Sequence, residues 1–225
     1  GGAGGTSAAY QWTGKGWYST SNPADSTAAI TSITAPTRAG YTYKGYATSS
    51  TATAGTYWTS VSTMPANTAF SANATLYAVW AKNAVRTITL NGNGGKDGTT
   101  AAYQWTGKGW YDTPSPDDTT APFDAIEPPV RAGYTYKGYA TSPTATSAAY
   151  WSDVAVPPAT NAFSANATLY AVWESNEIAL SWVSRPGVIM GTSCTYSDGA
   201  TVTLPSRPTR QGYAFQGWWT APDGG

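Results

Sequence analysis

Short stretches of alternating apolar and polar residues recur along this chain, and each reads as a half-buried strand. Thr87–Asn91 (TITLN), Thr75–Trp80 and Thr168–Trp173 (TLYAVW), and Ile178–Val183 (IALSWV) carry the period of two. Tyr41–Ala47 and Tyr134–Ala140 (YTYKGYA) alternate up to a glycine, which predicts a strand with a bulge there. Asn91–Gly95 (NGNGG) is a hairpin turn signal, because Asn and Gly tolerate positive φ. Gly14–Lys15–Gly16 reads as a turn between two strand-like flanks. No window of ten residues has helical periodicity. The nearest approach is one helical turn at Ser26–Ile33.

The elements come in copies. Gly1–Trp80 aligns with Gly94–Trp173 without a gap, roughly two thirds of the positions being identical, as in a close tandem repeat. AAYQWTGKGWY stands at Ala8–Tyr18 and again at Ala101–Tyr111. A third, shorter copy is marked by Pro208–Thr220 (PTRQGYAFQGWWT) against Pro36–Thr48 and lacks the WTGKGWY block. The repeats divide the chain into 1–82, whose first strand is missing, 86–174, which is complete, and 178–225, which is shorter. Because the sequence starts and stops inside repeats, it is expected to be a segment of a longer array. A sharper expectation is that incomplete ends complement each other between chains by strand addition.

Composition narrows the function classes. Net charge is zero and only 11% of the residues are charged, which disfavours nucleic-acid binding, since phosphate neutralisation needs clustered Lys and Arg. No run is long and apolar enough to insert in a membrane. Aromatic residues are 14% of the chain, ample for a folded core. With no histidine, Ser-His-Asp, Cys-His and His-ligated zinc arrangements are unavailable. Cys194, the single cysteine, has no basic neighbour in sequence and is expected to be inert. Among the acids, Asp118 alone in the second repeat has an acidic counterpart, Asp25. Asp117–Asp118 is therefore the one candidate acid site. Asn91–Asp97 resembles a calcium loop in its spaced oxygens, but it lacks the closing Glu. No catalytic, cofactor or metal site is expected.

The aromatic residues are then read as the repeated core: Tyr10, Trp12, Trp17, Tyr41, Tyr43, Tyr46 and Trp80 in the first repeat; Tyr103, Trp105, Trp110, Tyr134, Tyr136, Tyr139 and Trp173 in the second; Tyr213 and Trp218 in the third. Arg38, Arg131 and Arg210 recur before a Gly-Tyr step as structural cations, placed on an aromatic face or on loop carbonyls. Trp12, Trp17, Trp105 and Trp110 are the candidate ligand platform if their faces are open.

An NGG turn after a strand, then P-x-R-x-GY-x-[FY]-x-G-[WY], then T-LYA-x-W resembles the Listeria–Bacteroides repeat (the InlB B-repeat type). Asn93–Gly95, Pro129–Tyr139 and Thr168–Trp173 carry it in the second repeat. Pro36–Tyr46 with Thr75–Trp80 carries it in the first, and Pro208–Trp218 in the third. The chain departs from the family pattern in the YQWTGKGWY insertion and in Tyr46 and Tyr139, where the family has tryptophan. The resemblance implies an extracellular bacterial setting and small β-grasp-like repeats in tandem, often beside adhesive modules. The expected fold is mostly β (α+β), with the repeats arranged as beads or a rod. The expected function is a non-enzymatic structural segment of a surface stalk, adhesin or filament. Its partners would be neighbouring repeats or subunits. The rival reading is a module for host or environmental glycans or glycoproteins, using exposed Trp and Tyr.

Overall fold

A computed structural model describes residues 1–184, 188–189, 194–197 and 200–220. The fold is mostly β, with thirteen strands and no helix among the described residues. In order they are β1 (Tyr10–Trp12), β2 (Gly16–Tyr18), β3 (Tyr41–Ala47), β4 (Tyr77–Lys82), β5 (Val85–Asn91), β6 (Ala101–Trp105), β7 (Gly109–Tyr111), β8 (Tyr134–Ala140) and β9 (Ala167–Ser175). The third repeat adds β10 (Glu177–Leu180), β11 (Val183–Ser184), β12 (Val188–Ile189) and β13 (Cys194–Ser197). The helical turn expected at Ser26–Ile33 is absent. Thr27 N–H closes a single turn on Ala24 C=O at 2.9 Å, and Ile30 N–H bonds instead to Trp17 C=O at 2.8 Å.

Compactness divides the chain differently from repetition. One unit comprises Gly1–Leu90, Ala101–Ala125 and Ala155–Thr168; the other comprises Asn91–Thr100, Ile126–Val154 and Leu169–Gly225. The first holds the whole of repeat 1 together with the AAYQWTGKGWY hairpin of repeat 2.

In the first unit each AAYQWTGKGWY block is an antiparallel hairpin in the same register. Tyr10 faces Tyr18 and Trp12 faces Gly16; Tyr103 faces Tyr111 and Trp105 faces Gly109. β6 also pairs along its other edge with β5, which carries the buried Ile88 and Leu90, whereas among the described residues β1 pairs with β2 alone. β3 and β4 form a second antiparallel pair whose register slips between Tyr43 and Tyr46, at the glycine where a bulge is expected. The core of repeat 1 gathers Trp17, Ile33 and Trp58, with Phe70 and Leu76 against them. Trp17 meets Trp58 edge to face at 4.9 Å and donates its indole N–H to Pro65 C=O at 2.8 Å. Trp110 repeats the bond to Pro158 C=O at 2.6 Å. Trp58 sits at φ 46°, a left-handed conformation costing about 1–2 kcal/mol for a residue with a Cβ. Burial of the indole outweighs that, since removing such a ring costs about 3–5 kcal/mol.

In the second unit Tyr139 and Trp151 (1% and 2% exposed) meet edge to face at 6.4 Å, and Ile126, Leu169, Ala171 and Val172 are also buried. β8 pairs antiparallel with β9 and shifts register at Gly138. The NGNGG turn closes as expected, Gly95 N–H bonding to Gly92 C=O at 2.9 Å. Gly95 has no room for a side chain, as a Cβ would fall 2.5 Å from Trp173 Cζ2. The third repeat gathers Trp182 and Phe215 around Trp218. Its GYAFQGW stretch is not a strand, unlike YTYKGYA in the other two repeats.

Candidate functional site

Two sequence features meet inside the first unit, the hairpin block of repeat 2 and the Arg38–Tyr41 corner of repeat 1. Trp105 ends β6 and is fully buried. Its indole N–H donates to Gly40 C=O at 2.9 Å, and its ring lies edge-on to Tyr41 at 5.5 Å. Gly40 stands at φ +78° because the chain turns there, Tyr41 N–H bonding back to Arg38 C=O at 3.1 Å. Backbone bonds join the two sides. Gly40 N–H donates to Gly107 C=O at 3.1 Å, and Thr106 N–H to Ala84 C=O at 3.1 Å. Asn83 links both: its N–H donates to Gly40 C=O at 2.8 Å and its Nδ2 to Thr106 C=O at 3.0 Å.

Charge completes the junction. Lys82 and Lys108 place their ammonium groups over the Trp105 ring at 4.4 and 4.1 Å, and the Arg38 guanidinium lies 3.8 Å over Tyr41. Asp118 accepts from both Lys108 and Arg38 and from Tyr41 O–H at 3.3 Å. Lys82 donates to Pro116 C=O. Hydrogen bonds from Lys108 and then Arg38 hold the Asp118 carboxyl at about 2, so it stays ionised.

The other sequence candidates fall in different places. Trp17 and Trp110 are buried core residues and Trp105 is sealed in the junction; only Trp12 of the four platform tryptophans is half-exposed. Tyr41, Tyr43, Trp80, Tyr103, Tyr134, Tyr136, Trp173 and Trp218 are half-buried, as is Tyr46, whose copy Tyr139 is buried. Tyr10 and Tyr213 are exposed at 39% and 68%. Tyr10 lies on a strand with one partner, and Tyr213 belongs to the stretch of repeat 3 that forms no strand. Each repeated arginine covers the tyrosine three residues on: Arg131 over Tyr134 at 3.8 Å and Arg210 over Tyr213 at 4.1 Å match Arg38 over Tyr41.

Asp117 is tied up locally. It accepts from the hydroxyls and N–H groups of Thr119 and Thr120, and these bonds, Thr119 first, lower it to about 2. A carboxyl so held cannot hold a proton to donate near neutral pH. Among the described residues no three His, Cys, Asp or Glu side chains converge as metal ligands. The side chain of Cys194 lies outside the described ones. A cavity of about 730 Å³ in repeat 1 is lined by Gln11, Trp17, Phe70, Asn73 and Leu76 among others, with no Asp, Glu, Lys or Arg.

Several residues that build the junction are silent in sequence. Gly40, Lys82 and Asn83 are among them. Gln104 is fully buried and clamps the backbone of Phe163 by two bonds, Nε2 to C=O at 2.9 Å and N–H to Oε1 at 3.0 Å. Its identity in both blocks was the available signal.

Repeated aromatic blocks on a mostly β fold, with repeat 1 joined to the hairpin of repeat 2 through one indole and one carboxylate, mark a repeat protein. The chain belongs to the Listeria-Bacteroides repeat domain family, whose model matches residues 9–79 and 184–225. It is similar to two proteins of Evansella cellulosilytica. One is named "Putative Gly-rich membrane protein" (29% identical over 146 residues, 64% of this chain and 14% of the relative). The other is named "Putative membrane protein" (28% over 148 residues, 65% and 19%). The chain thus spans less than a fifth of the length of either relative. No solved structure matches it significantly. No helix among the described residues is long and apolar enough to cross a membrane.

Proposed function

We propose that this chain is a non-enzymatic structural segment of a bacterial surface stalk, adhesin or filament, outside the cell, in which small β repeats are coupled stiffly to one another. The observation that carries the reading is the closed junction around Trp105. A linker between independent binding beads needs no buried indole, no left-handed glycine fitted to it and no carboxylate shared by two cations. Here all three lie between repeat 1 and the hairpin of repeat 2, so parting that hairpin from repeat 1 would break a buried hydrogen bond. The names of the relatives, both membrane proteins, are consistent with a place at the cell envelope. Burial of Trp17, Trp105 and Trp110 weakens the glycan-platform alternative, because sugar stacking needs open ring faces.

Small-angle scattering on the chain and on Trp105→Ala and Asp118→Arg variants tests the proposal. The parent should scatter as stiffly coupled repeats, and the variants should show added flexibility. A parent curve of freely jointed beads overturns it.

A further inference from the structure

Two indoles at the centre of repeat 1 are received by consecutive residues, and one of the two acceptors is a sulfur. We propose that this sulfur, Met64 Sδ, is a site of reversible oxidation by hydroperoxides, which loosens the core of repeat 1 and has no counterpart in repeat 2.

The sulfur is built into the core. Trp58 donates its indole N–H to Met64 Sδ at 3.3 Å, and Trp17 donates to Pro65 C=O at 2.8 Å. The two rings meet edge to face at 4.9 Å, so the Met64–Pro65 step holds both members of one aromatic pair. Met64 packs against the cluster of Trp17, Ile33 and Trp58. Backbone bonds fix the loop that carries it, from Thr63 N–H to Ser60 C=O at 3.0 Å and from Ile33 N–H to Val61 C=O at 2.9 Å.

Met64 is half-buried, so a small oxidant reaches the sulfur. That exposure belongs to the loop. Met64 does not line the cavity of repeat 1, and Pro157, at the same place in repeat 2, is half-buried although that repeat has its opening strand β5. Pro158 C=O receives Trp110 as Pro65 receives Trp17, but Pro157 has no sulfur to offer. The two repeats thus share the clamp on one indole and differ at the acceptor of the other.

The step balances with peroxide alone. A sulfur lone pair attacks one oxygen of hydrogen peroxide and the O–O bond breaks. The sulfur-bound hydroxyl gives its proton to the departing hydroxide, leaving a sulfoxide and water. Sulfur loses two electrons and the peroxide gains them. The Trp58 N–H occupies one lone pair of the thioether, so the oxidant enters at the other and one sulfoxide epimer is favoured. The product is polar where an apolar side chain was packed. Drawn toward water, it pulls Met64 off Trp58 and, through the next residue, the Pro65 carbonyl off Trp17.

Hydrogen peroxide treatment of the full chain, folded and in urea, tests this. Digestion and mass spectrometry, with the two epimers separated, read the state of Met64. The folded chain should favour one epimer about threefold or more, matching the net worth of one hydrogen bond, and the unfolded chain should give nearly equal amounts. The oxidised parent should melt about 2 °C or more below the untreated one. A reductase specific for the favoured epimer should reverse the fall. Met64→Leu keeps the side-chain volume without the sulfur and should show no fall. That variant retains Met190, the other methionine, which lies outside the described residues and serves as the internal control. A Met64 left unoxidised, equal epimers from the folded chain, an unchanged or irreversible melt, or an equal fall in Met64→Leu each overturns the proposal.

Discussion

Gly40→Ala should damage the junction far more than the same change at an equally strained but open glycine. Gly40 has φ +78° and Gly14 has φ +82°, so alanine meets a similar backbone penalty at both, about 1–2 kcal/mol. The surroundings differ. A Cβ on Gly14 meets nothing within 4 Å, while on Gly40 it falls 2.7 Å from Trp105 Cε2, 2.8 Å from Nε1 and 3.1 Å from Lys108 Cβ. Trp105 is fully buried and cannot swing aside, so relief must come from parting the corner and the hairpin. Parting them breaks the indole bond to Gly40 C=O, and a buried donor left unpaired costs about 1–3 kcal/mol. The expectation is a loss of about 1–2 kcal/mol for Gly14→Ala and about 2–5 kcal/mol for Gly40→Ala. Gly212, the same corner in repeat 3, also has φ +78° with nothing within 4 Å and should behave like Gly14. Urea unfolding followed by tryptophan fluorescence reads the difference. Equal losses at Gly14 and Gly40 would refute the claim that the indole is seated on that glycine.

Asp118→Asn should weaken the junction at neutral pH. The folded pKa of Asp118 is depressed to about 2 from 3.8, so its contribution is complete above the unfolded value and is lost as pH falls through about 2. The stability gap between parent and variant, measured by urea unfolding across that range, should close on acidification. A gap independent of pH would count against the ion pairs. Gln104→Ala should cost about 2–4 kcal/mol, since it strands two buried backbone groups of Phe163. Gln11→Ala should cost less, because Gln11 makes the same bonds to Phe70 from a half-buried position; thermal melts of the two variants would compare them. At high pH the direction reverses. Burial raises Tyr139 to about 12 from 10.0 and also raises Tyr43 and Tyr136, so the unfolded chain ionises first and stability falls as pH climbs from 10.0 through about 12. Phenolate absorbance should show these tyrosines titrating late, and full titration near 10 in the folded protein would contradict their burial.

Most of the strands were legible as period-two alternation. TITLN and YTYKGYA form strands, LYAVW does so throughout in repeat 2 and from Tyr77 in repeat 1, and the register slips at Gly45 and Gly138 follow from a glycine within the alternation. The single strand expected over Ile178–Val183 is instead broken at Ser181–Trp182, between β10 and β11. The turn at Ser26–Ile33 read as helical because local sequence cannot show that Ile30 N–H finds Trp17 C=O. The junction was not legible, for a related reason. Asp118 and Arg38 stand 80 residues apart, and neither residue type announces its partner. The repeat offset did single out Asp118, as the one acid of repeat 2 with an acidic counterpart. It could not say that the shared feature was a bond to the hairpin lysine.

The two copies of AAYQWTGKGWY separate what folds the block from what the junction adds. Register, the turn on the tryptophan carbonyl, the lysine over the indole and the lysine–aspartate pair exist in both, so the hairpin needs no partner to form. The junction adds the arginine on the aspartate, the glycine carbonyl on the indole N–H, and exclusion of water from the ring. Each of these comes from the P-x-R-x-GY segment, which the third repeat has although it lacks the block. The corner is thus common to the three repeats, and the described junction forms at the one corner that a block follows. Inserting the block into repeat 3 should create a junction at Arg131–Tyr134. Protection of its tryptophan indole from hydrogen exchange would report it, and an indole exchanging as freely as that of Trp12 would show that the block alone is not sufficient.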